Sequence, residues 1–470
     1  MTDITAPLTE RATAAFAAQS AGIVTRRLTF GLAERRAALD RLAAAIRVNE
    51  SALVAAMAAD FGKPETEVIL TEVLPVMQEI RHASRQLRRW MRPRRVAPTL
   101  VTFGTRARVR SEPRGVCLII APWNYPFNLA IGPLVSALAA GNSAIIKPSE
   151  MAPATSAVVA RLIKDTFPAE LVTVVEGGVE ASQSLLALPF DHIFFTGSPA
   201  VGKIVMAAAS KTLASITLEL GGKSPTIVGP DADLKRAASW IAFGKFANAG
   251  QTCIAPDHVF VHASVKDDFL AALRDRIART YGTGAKSPHL ARIINDRHAE
   301  RLSGLLRDAI AKGAQVTLGS DRQERRMAPT LIEAITPEMK IDQEEIFGPI
   351  LPILTYDDID EVTRRINARP KPLALYVFDK SSERIDHIIA TTSSGGVGVN
   401  LTMAHFSHTG LPFGGVNSSG IGASHGQDGY RAFSHERAIL TNHFSSLPLL
   451  FPPYTARVKR LIGLAKRFLG

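Results

Sequence analysis

The chain predicts an α/β fold built on largely parallel sheets, and three observations carry that prediction. From Gly115 onwards, short β-branched runs alternate with helical segments, which is the order of repeated βα units. Several of those runs, such as Val116–Ala121 and Ala144–Ile146, are apolar on both faces, as strands in the interior of a parallel sheet are. At 470 residues the chain is also too long for one hydrophobic core, so two or three domains are expected.

Helices come first. Residues 9–49 are rich in Ala, Leu, Arg and Glu, with apolar residues at helical spacing. A second helix is expected over Glu50–Phe61, ended by Gly62, and a third over Glu65–Trp90, ended before Pro93. Pro75 lies inside that third stretch and marks a kink or a break. The period then changes. Thr99–Phe103 and Arg106–Arg110 flank Gly104-Thr105 and read as a hairpin. A hairpin there has little local core, which favours packing against another domain or subunit.

The α/β part opens with a strand at Val116–Ala121 and a helix at Asn128–Ala140, closed by Gly141. Strands at Ala144–Ile146, Val172–Val175 and His192–Phe195 follow, with helices at Ala154–Phe167 and Ala200–Ser210. A second α/β segment starts near Ile227, with helices at Leu234–Ala247, Val265–Arg279 and Glu300–Lys312. Its strands fall at His258–Val261, Val316–Leu318, Ile350–Thr355, Ala374–Phe378 and Gly396–Asn400. Arg322–Arg326 reads as a solvated loop and Gly410–Gly422 as a long glycine-rich one. Ligands on parallel sheets bind at the carboxyl ends of strands, where Asn124, Lys147 and Gly197 fall.

Formal net charge is +12, much of it concentrated in Arg85–Arg95 and in the tail after Thr455. Neither stretch has a zinc-finger spacing or interleaved stacking aromatics, so no nucleic-acid partner is expected. An anionic cofactor or membrane surface accounts for the sign at least as well. Two cysteines cannot build a disulfide framework and fit a reducing compartment. No leader is read in Met1–Pro7, and no uninterrupted apolar run reaches membrane-span length. In the tail, apolar residues at 458, 461, 462, 465 and 469 alternate with basic ones. That pattern is a cationic amphipathic helix, which either docks on its own protein or lies on an anionic membrane.

Chemistry concentrates in Gly250-Gln251-Thr252-Cys253 and Glu219-Leu220-Gly221-Gly222-Lys223. A thiol and a separate carboxylate can carry acyl chemistry through a covalent intermediate. The other cysteine, Cys117, sits in an apolar run and reads as core. From residue chemistry alone, Cys253 is equally a structural thiol and a nucleophile. Asn124 taken alone is a turn residue, Phe347 a core aromatic, and Gly197–Gly202 does not match G-x-G-x-x-G. No metal ligands are assigned.

Further motifs change that balance: Pro122-Trp123-Asn124-Tyr125-Pro126, Lys147-Pro148-Ser149-Glu150, Phe195-Thr196-Gly197-Ser198, Glu345-Ile346-Phe347-Gly348-Pro349 and Pro412-Phe413-Gly414-Gly415. Together and in this order, the motifs make the chain resemble the aldehyde dehydrogenase superfamily, from the N-terminal helices to about Ile439. Within it, the likeness is to the branch of fatty-aldehyde enzymes and bacterial coniferyl aldehyde dehydrogenases. The resemblance implies a Rossmann-like NAD(P)-binding domain (1–95 and 111–222) and an α/β catalytic domain (223–420). It also implies a small β bridging or oligomerisation element (96–110 and 421–455), ahead of the 456–470 tail.

The resemblance makes Cys253 the nucleophile, and Asn124 with the Cys253 N–H the stabilisers of a thiohemiacetal oxyanion. Glu219 becomes the base that activates water to hydrolyse the thioester. Lys147 and Glu150 match positions that hold the adenosine ribose. Gly197, Ser198 and Gly202 match a pyrophosphate-binding turn, and Glu345 and Phe347 match residues on the nicotinamide ribose and ring. NAD is the implied cofactor, with NADP left open, because a carboxylate at Glu150 would repel a 2′-phosphate. The implied substrate is an apolar aldehyde of coniferyl type, on the strength of His82-x-x-Arg85 and the residues around Cys253. A long-chain aliphatic aldehyde is the alternative, with a non-enzymatic membrane-associated scaffold as the reading from a different class. A homodimer in the cytoplasm, with membrane contact through the tail as an option, completes the expectation. Asn417 stands where relatives usually have Gly, a substitution that a left-handed backbone tolerates.

Overall fold

The computed structural model describes residues 7–99, 102–445 and 447–469. Most of the stretch read for a leader, and part of the predicted Thr99–Phe103 strand, lie outside the described residues. Helices α1 (Leu8–Ala21), α2 (Ile23–Thr29), α3 (Leu32–Phe61), α4 (Glu65–Val68) and α5 (Leu74–Trp90) come first. The expected boundary at Glu50 is absent, and α3 runs through it to Gly62. Asn49, a plausible cap by type, instead donates its amide to the Ala45 carbonyl one turn back, so the helix continues. With a mean hydropathy of 1.4 in its most apolar window, α3 reaches the length and composition of a membrane span, although Arg47, Asn49 and Glu50 interrupt its apolar residues. Its Leu39, Leu42, Ile46, Leu53 and Met57 are nonetheless buried in the protein core.

The Pro75 irregularity is a π turn at Ile69–Val73, with Pro75 in the first turn of α5. Proline has no N–H to give the preceding turn. The Thr71 carbonyl is taken up by the Asn128 amide at 3.0 Å.

The hairpin forms, but its first strand is earlier than expected. β1 (Arg94–Val96) pairs with β2 (Thr105–Pro113), Arg94 opposite Val109. Pro98 lacks a ladder donor, and the Thr102 N–H donates to the Thr99 carbonyl while Thr102 Oγ1 accepts from the Thr99 N–H.

Next come β3 (Val116–Ile120), α6 (Asn128–Ala140), β4 (Ser143–Lys147), α7 (Pro153–Thr166), β5 (Val172–Val174), α8 (Val179–Leu186), β6 (His192–Gly197), α9 (Pro199–Ser210) and β7 (Ser215–Leu220). The sequence reading omits α8 and β7. The second segment supplies β8 (Pro225–Val228), α10 (Leu234–Phe246), β9 (His258–His262), α11 (Lys266–Tyr281), α12 (Asp296–Ala311) and β10 (Gln315–Leu318). Arg322–Arg326, expected as a loop, is a tight pair of strands, β11 (Arg322–Gln323) and β12 (Arg326–Met327). Then follow β13 (Thr330–Glu333), α13 (Lys340–Gln343), β14 (Ile350–Tyr356), α14 (Ile359–Asn367), β15 (Ala374–Phe378), α15 (Ser382–Thr391) and β16 (Gly396–Val399). The chain ends with β17 (Gly420–Ile421), α16 (Gly426–Ala432), β18 (Ser434–Asn442) and α17 (Ala456–Leu469).

Two large sheets result. One has the order β17-β7-β6-β3-β4-β5, parallel except for β17; the other runs β10-β13-β14-β9-β8-β15-β16, parallel except for β10. One hydrophobic cluster includes residues of both, among them Ile119 and Phe194 from the first and Val259 and Ala374 from the second. β18 pairs along its whole length with β2, making an antiparallel ribbon with β1. Asn417, in the glycine-rich loop, has φ 56°, the left-handed conformation its side chain tolerates.

Candidate active site

Parallel pairing brings the carboxyl ends of β3, β4, β6 and β7 to one edge, with Ile120 level with Lys147 and Phe195, and Thr196 level with Glu219. The loop after β3 carries Trp123, Asn124 and Tyr125. Gly197 and Ser198 lead from β6 into α9, and Glu219 lies near the end of β7.

Cys253 follows an unusual turn after α10. Asn248, Ala249 and Gly250 have φ of 53°, 53° and 73°, a left-handed run that only strong local constraints sustain. At Gly250 a Cβ would sit 2.4 Å from the Gly348 carbonyl oxygen, so glycine is required. The Asn248 N–H donates to Glu67 Oε1 at 2.7 Å, and its side-chain amide to the Asn124 carbonyl at 2.8 Å. Gln251 donates to the Asn248 and Arg292 carbonyls and accepts from the Ile294 N–H. Asn124 Nδ2 in turn donates to the Gln251 carbonyl at 3.0 Å.

A buried ion pair supports this network. Lys63 Nζ lies 2.8 Å from Glu72 Oε1, both side chains fully buried, and Glu72 Oε2 accepts from the N–H groups of Phe127 and Asn128. The same ammonium sits 4.0 Å from the Tyr125 ring centroid, and the Tyr125 hydroxyl is 2.8 Å from Thr252 Oγ1. Ion pair, aromatic ring and threonine thus connect the loop after β3 to the residue preceding the thiol.

Cys253 is itself partly exposed and lines two cavities. One, about 290 Å³, is walled by apolar side chains including Leu129, Trp240, Phe243, Met403 and Phe406. The other, about 50 Å³, also contains Glu219. Burial, then the Glu345 and Glu219 carboxylates, push the thiol up to about 12, against the N–H groups of Cys253 and Ile254. Burial raises Glu219 to about 8, opposed by the Ser424 hydroxyl, which donates to it at 3.0 Å. Burial likewise raises Glu345 to about 7. Cys117 is fully buried in β3 and lines none of these cavities, as its apolar surroundings predict.

The remaining predicted residues occupy the sheet edge. Buried Lys147 pairs with Glu150 at 2.6 Å. Ser198 caps α9 by accepting from the Val201 N–H, and a Cβ on Gly197 would strike the Phe195 ring at 2.5 Å. Gly202 packs closely on Leu220. Glu345 lies against Gly221, and Phe347, at φ 50°, meets Trp123 edge-on at 5.4 Å. The structure therefore gathers Cys253, Glu219 and Glu345, links Asn124 to them through Gln251, and leaves Lys147, Glu150, Gly197, Ser198 and Gly202 along the strand ends. A larger cavity of about 460 Å³, beside Pro199, Gly221 and Glu345, reaches neither Cys253 nor Lys147.

Sequence reading missed Glu67, Glu72, Glu79, Asn248 and Ser424. Glu79 had a signal, since it interrupts the apolar stripe Val76, Ile80, Ala83, Leu87 and Trp90 of α5. Ser424, in a loop without periodicity, had none.

Residues 4–439 match the model of the aldehyde dehydrogenase family. The chain is 45% identical to 4,4'-diaponeurosporen-aldehyde dehydrogenase of Staphylococcus aureus, over 92% of this chain and 94% of that protein. It is 41% identical to the "probable coniferyl aldehyde dehydrogenase" of Pseudomonas aeruginosa, over 88% and 87% of the two chains. A solved structure of Staphylococcus aureus AldH in a substrate-bound state superposes with a TM-score of 0.91, at 42% identity, covering 96% of this chain and 99% of that one. The chain belongs to the aldehyde dehydrogenase family.

Proposed function

We propose that the protein oxidises an apolar aldehyde to its carboxylic acid with NAD(P), through a thioester on Cys253. The observation that carries this reading is the position of Cys253, between an apolar cavity and a buried carboxylate. The apolar cavity receives the aldehyde's hydrophobic group and presents its carbonyl carbon to Sγ. As the C–S bond forms the thiol proton leaves to solvent, and the second N–H of the Asn124 amide and the backbone N–H of Cys253 stabilise the oxyanion. Once the thioester is formed, Glu219 takes a proton from water as the water oxygen attacks, and the C–S bond breaks to release the acid. A carboxylate raised toward 8 by burial is a stronger base than an exposed one and suits that step.

The strand-end residues fit a dinucleotide. The N-terminus of α9, which follows directly on the Gly197-Ser198 turn, favours an anion. Exposed Val179 and Val201, on packed helices α8 and α9, offer an apolar face to a planar base. Lys147 and Glu150 would hold the adenosine ribose, Gly197, Ser198 and Gly202 the pyrophosphate, and Glu345 and Phe347 the nicotinamide ribose and ring. When bound, NAD(P) supplies the hydride acceptor. The carboxylate of Glu150 favours NAD over NADP. In this reading 1–95 with 111–222 bind cofactor, and 223–420 carry the thiol.

For substrate, a coniferyl-type aldehyde fits the aromatic walls Trp240, Phe243 and Phe406, and the Pseudomonas relative supports it. The Staphylococcus relative, by its name, supports 4,4'-diaponeurosporen-aldehyde or an aldehyde like it. Turnover of cinnamyl-type aldehydes, 4,4'-diaponeurosporen-aldehyde and long aliphatic aldehydes in parallel separates these readings. Purified protein should make NADH with its aldehyde, and Cys253→Ala should abolish the activity. Turnover by that variant would remove the assignment.

The β2–β18 ribbon with exposed Leu440 supports pairing of two copies. A working thiol at Cys253 favours a cytoplasmic setting. In α17, Val458 is buried while Ile462 and Leu464 are exposed among basic residues, which supports peripheral contact with an anionic bilayer. Sedimentation should show a dimer in solution and, with anionic vesicles, a bound fraction lost when 456–470 are deleted. A monomer, or equal binding by the truncated chain, would overturn the respective reading.

A further inference from the structure

Behind Glu219, the 50 Å³ cavity collects polar groups from five parts of the chain: Glu79 on α5, Ser136 on α6, Thr196 on β6, Glu219 on β7, and Ser424 with His425 before α16. Three of its buried oxygens, Glu219 Oε2, Thr196 Oγ1 and Glu79 Oε2, have no partner among the described residues. An unpartnered buried oxygen is costly, and three around one cavity of this size define a site for bridging water. Thr196 and Glu219 are register partners on adjacent strands, so their side chains share one face of the sheet. Glu79 is held opposite by the Gly426 N–H on its other oxygen, with His425 Nδ1 3.9 Å from Oε2.

From these positions we infer that Glu79 is a proton-relay station, receiving through bridging water the proton that Glu219 takes from the hydrolytic water. The inference rests on the reading of Glu219 as the base. In each turnover the water proton moves to Glu219 as its oxygen bonds to the thioester carbon and the C–S bond breaks. Glu219 then gives a proton to the bridging water, which gives one to the Glu79 carboxylate, and Glu219 is restored as a base. Glu79 discharges toward solvent past His82, the half-exposed residue one turn along α5 that borders Gly426. Burial raises Glu79 to about 7, so it can exchange protons near neutral pH. Burial, then His405, lowers His425 to about 4, leaving it neutral beside Glu79.

The test compares Glu79→Gln with Glu219→Gln by rapid mixing with NAD and aldehyde. Glu79→Gln keeps a carbonyl acceptor for the Gly426 N–H but cannot take the proton. It should retain the pre-steady-state NADH burst and KM, lower the steady-state rate by about tenfold or more, and enlarge the solvent deuterium isotope effect. Glu79→Asp should recover part of that rate. Wild-type steady-state rate and isotope effect in Glu79→Gln would overturn the relay, as would parallel loss of burst and KM, which marks distortion instead. If Glu79→Gln does not fold, Thr196→Val, which removes only a hydroxyl of the path, must slow deacylation, and a wild-type rate overturns the proposal. Undiminished deacylation in Glu219→Gln would instead remove the reading of Glu219, a separate outcome.

Discussion

Two buried polar clusters flank the Cys253 thiol, and they are built in opposite ways. Beneath the 248–251 turn, Lys63 is paired with Glu72, both Glu72 oxygens are engaged, and Glu67 takes the Asn248 N–H. Behind Glu219, three oxygens face one small cavity with no partner among the described residues. The paired cluster fixes atoms. The unpaired one leaves protons free to move, at a cost in stability.

The largest expected break in this contrast is Glu219→Gln, which should lower the hydrolytic rate by about 10²–10⁴-fold while a burst of NADH persists. Rapid-mixing kinetics check it, and equal loss of burst and hydrolysis would remove the distinction. Lys63→Met tests the other side. It leaves Glu72 buried without its cation and should destabilise the fold by about 3–5 kcal/mol, read by denaturant unfolding. A loss as small as that of a surface pair would show the cluster is not a support. The smallest effect is expected from Ser424→Ala. Its hydroxyl stabilises ionised Glu219, so its removal raises that carboxyl above about 8. Activity, which needs the ionised base, should then rise only at higher pH, with the acid limb shifted upward by about one unit. A downward or absent shift in the pH–rate profile contradicts this arrangement.

Sequence made much of the framework legible, because its signals are local. Apolar runs such as Val116–Ile120 and Ala374–Phe378 fix strands by burial on both faces. β7 was legible too, because Ser-Ile-Thr-Leu-Glu-Leu alternates polar and apolar residues as a half-buried strand does, but the reading passed over it for the motif that begins at Glu219. Asn124, Lys147 and Cys253 were visible as motif residues. What surrounds them was not, because Glu72 meets Phe127, and Glu79 meets Gly426, only through tertiary contact. A glutamate within an apolar helical stripe is the one trace such contacts leave in one dimension.

The π turn at Ile69–Val73 has a consequence for the helical phase of α4 and α5. A π turn amounts to one residue inserted into an α-helix, and each residue advances the helix by about 100°. Glu67 and Glu72, which serve the thiol's support, and Glu79, which faces the cavity behind Glu219, are thus phased by that single extra residue. Deleting one position between 69 and 73 would give a straighter α-helix of ordinary propensity. It would also rotate α4 against α5, so that at most one of the two clusters kept its glutamates. Chain length at this turn, more than residue identity, is the parameter through which insertions and deletions would act on the enzyme.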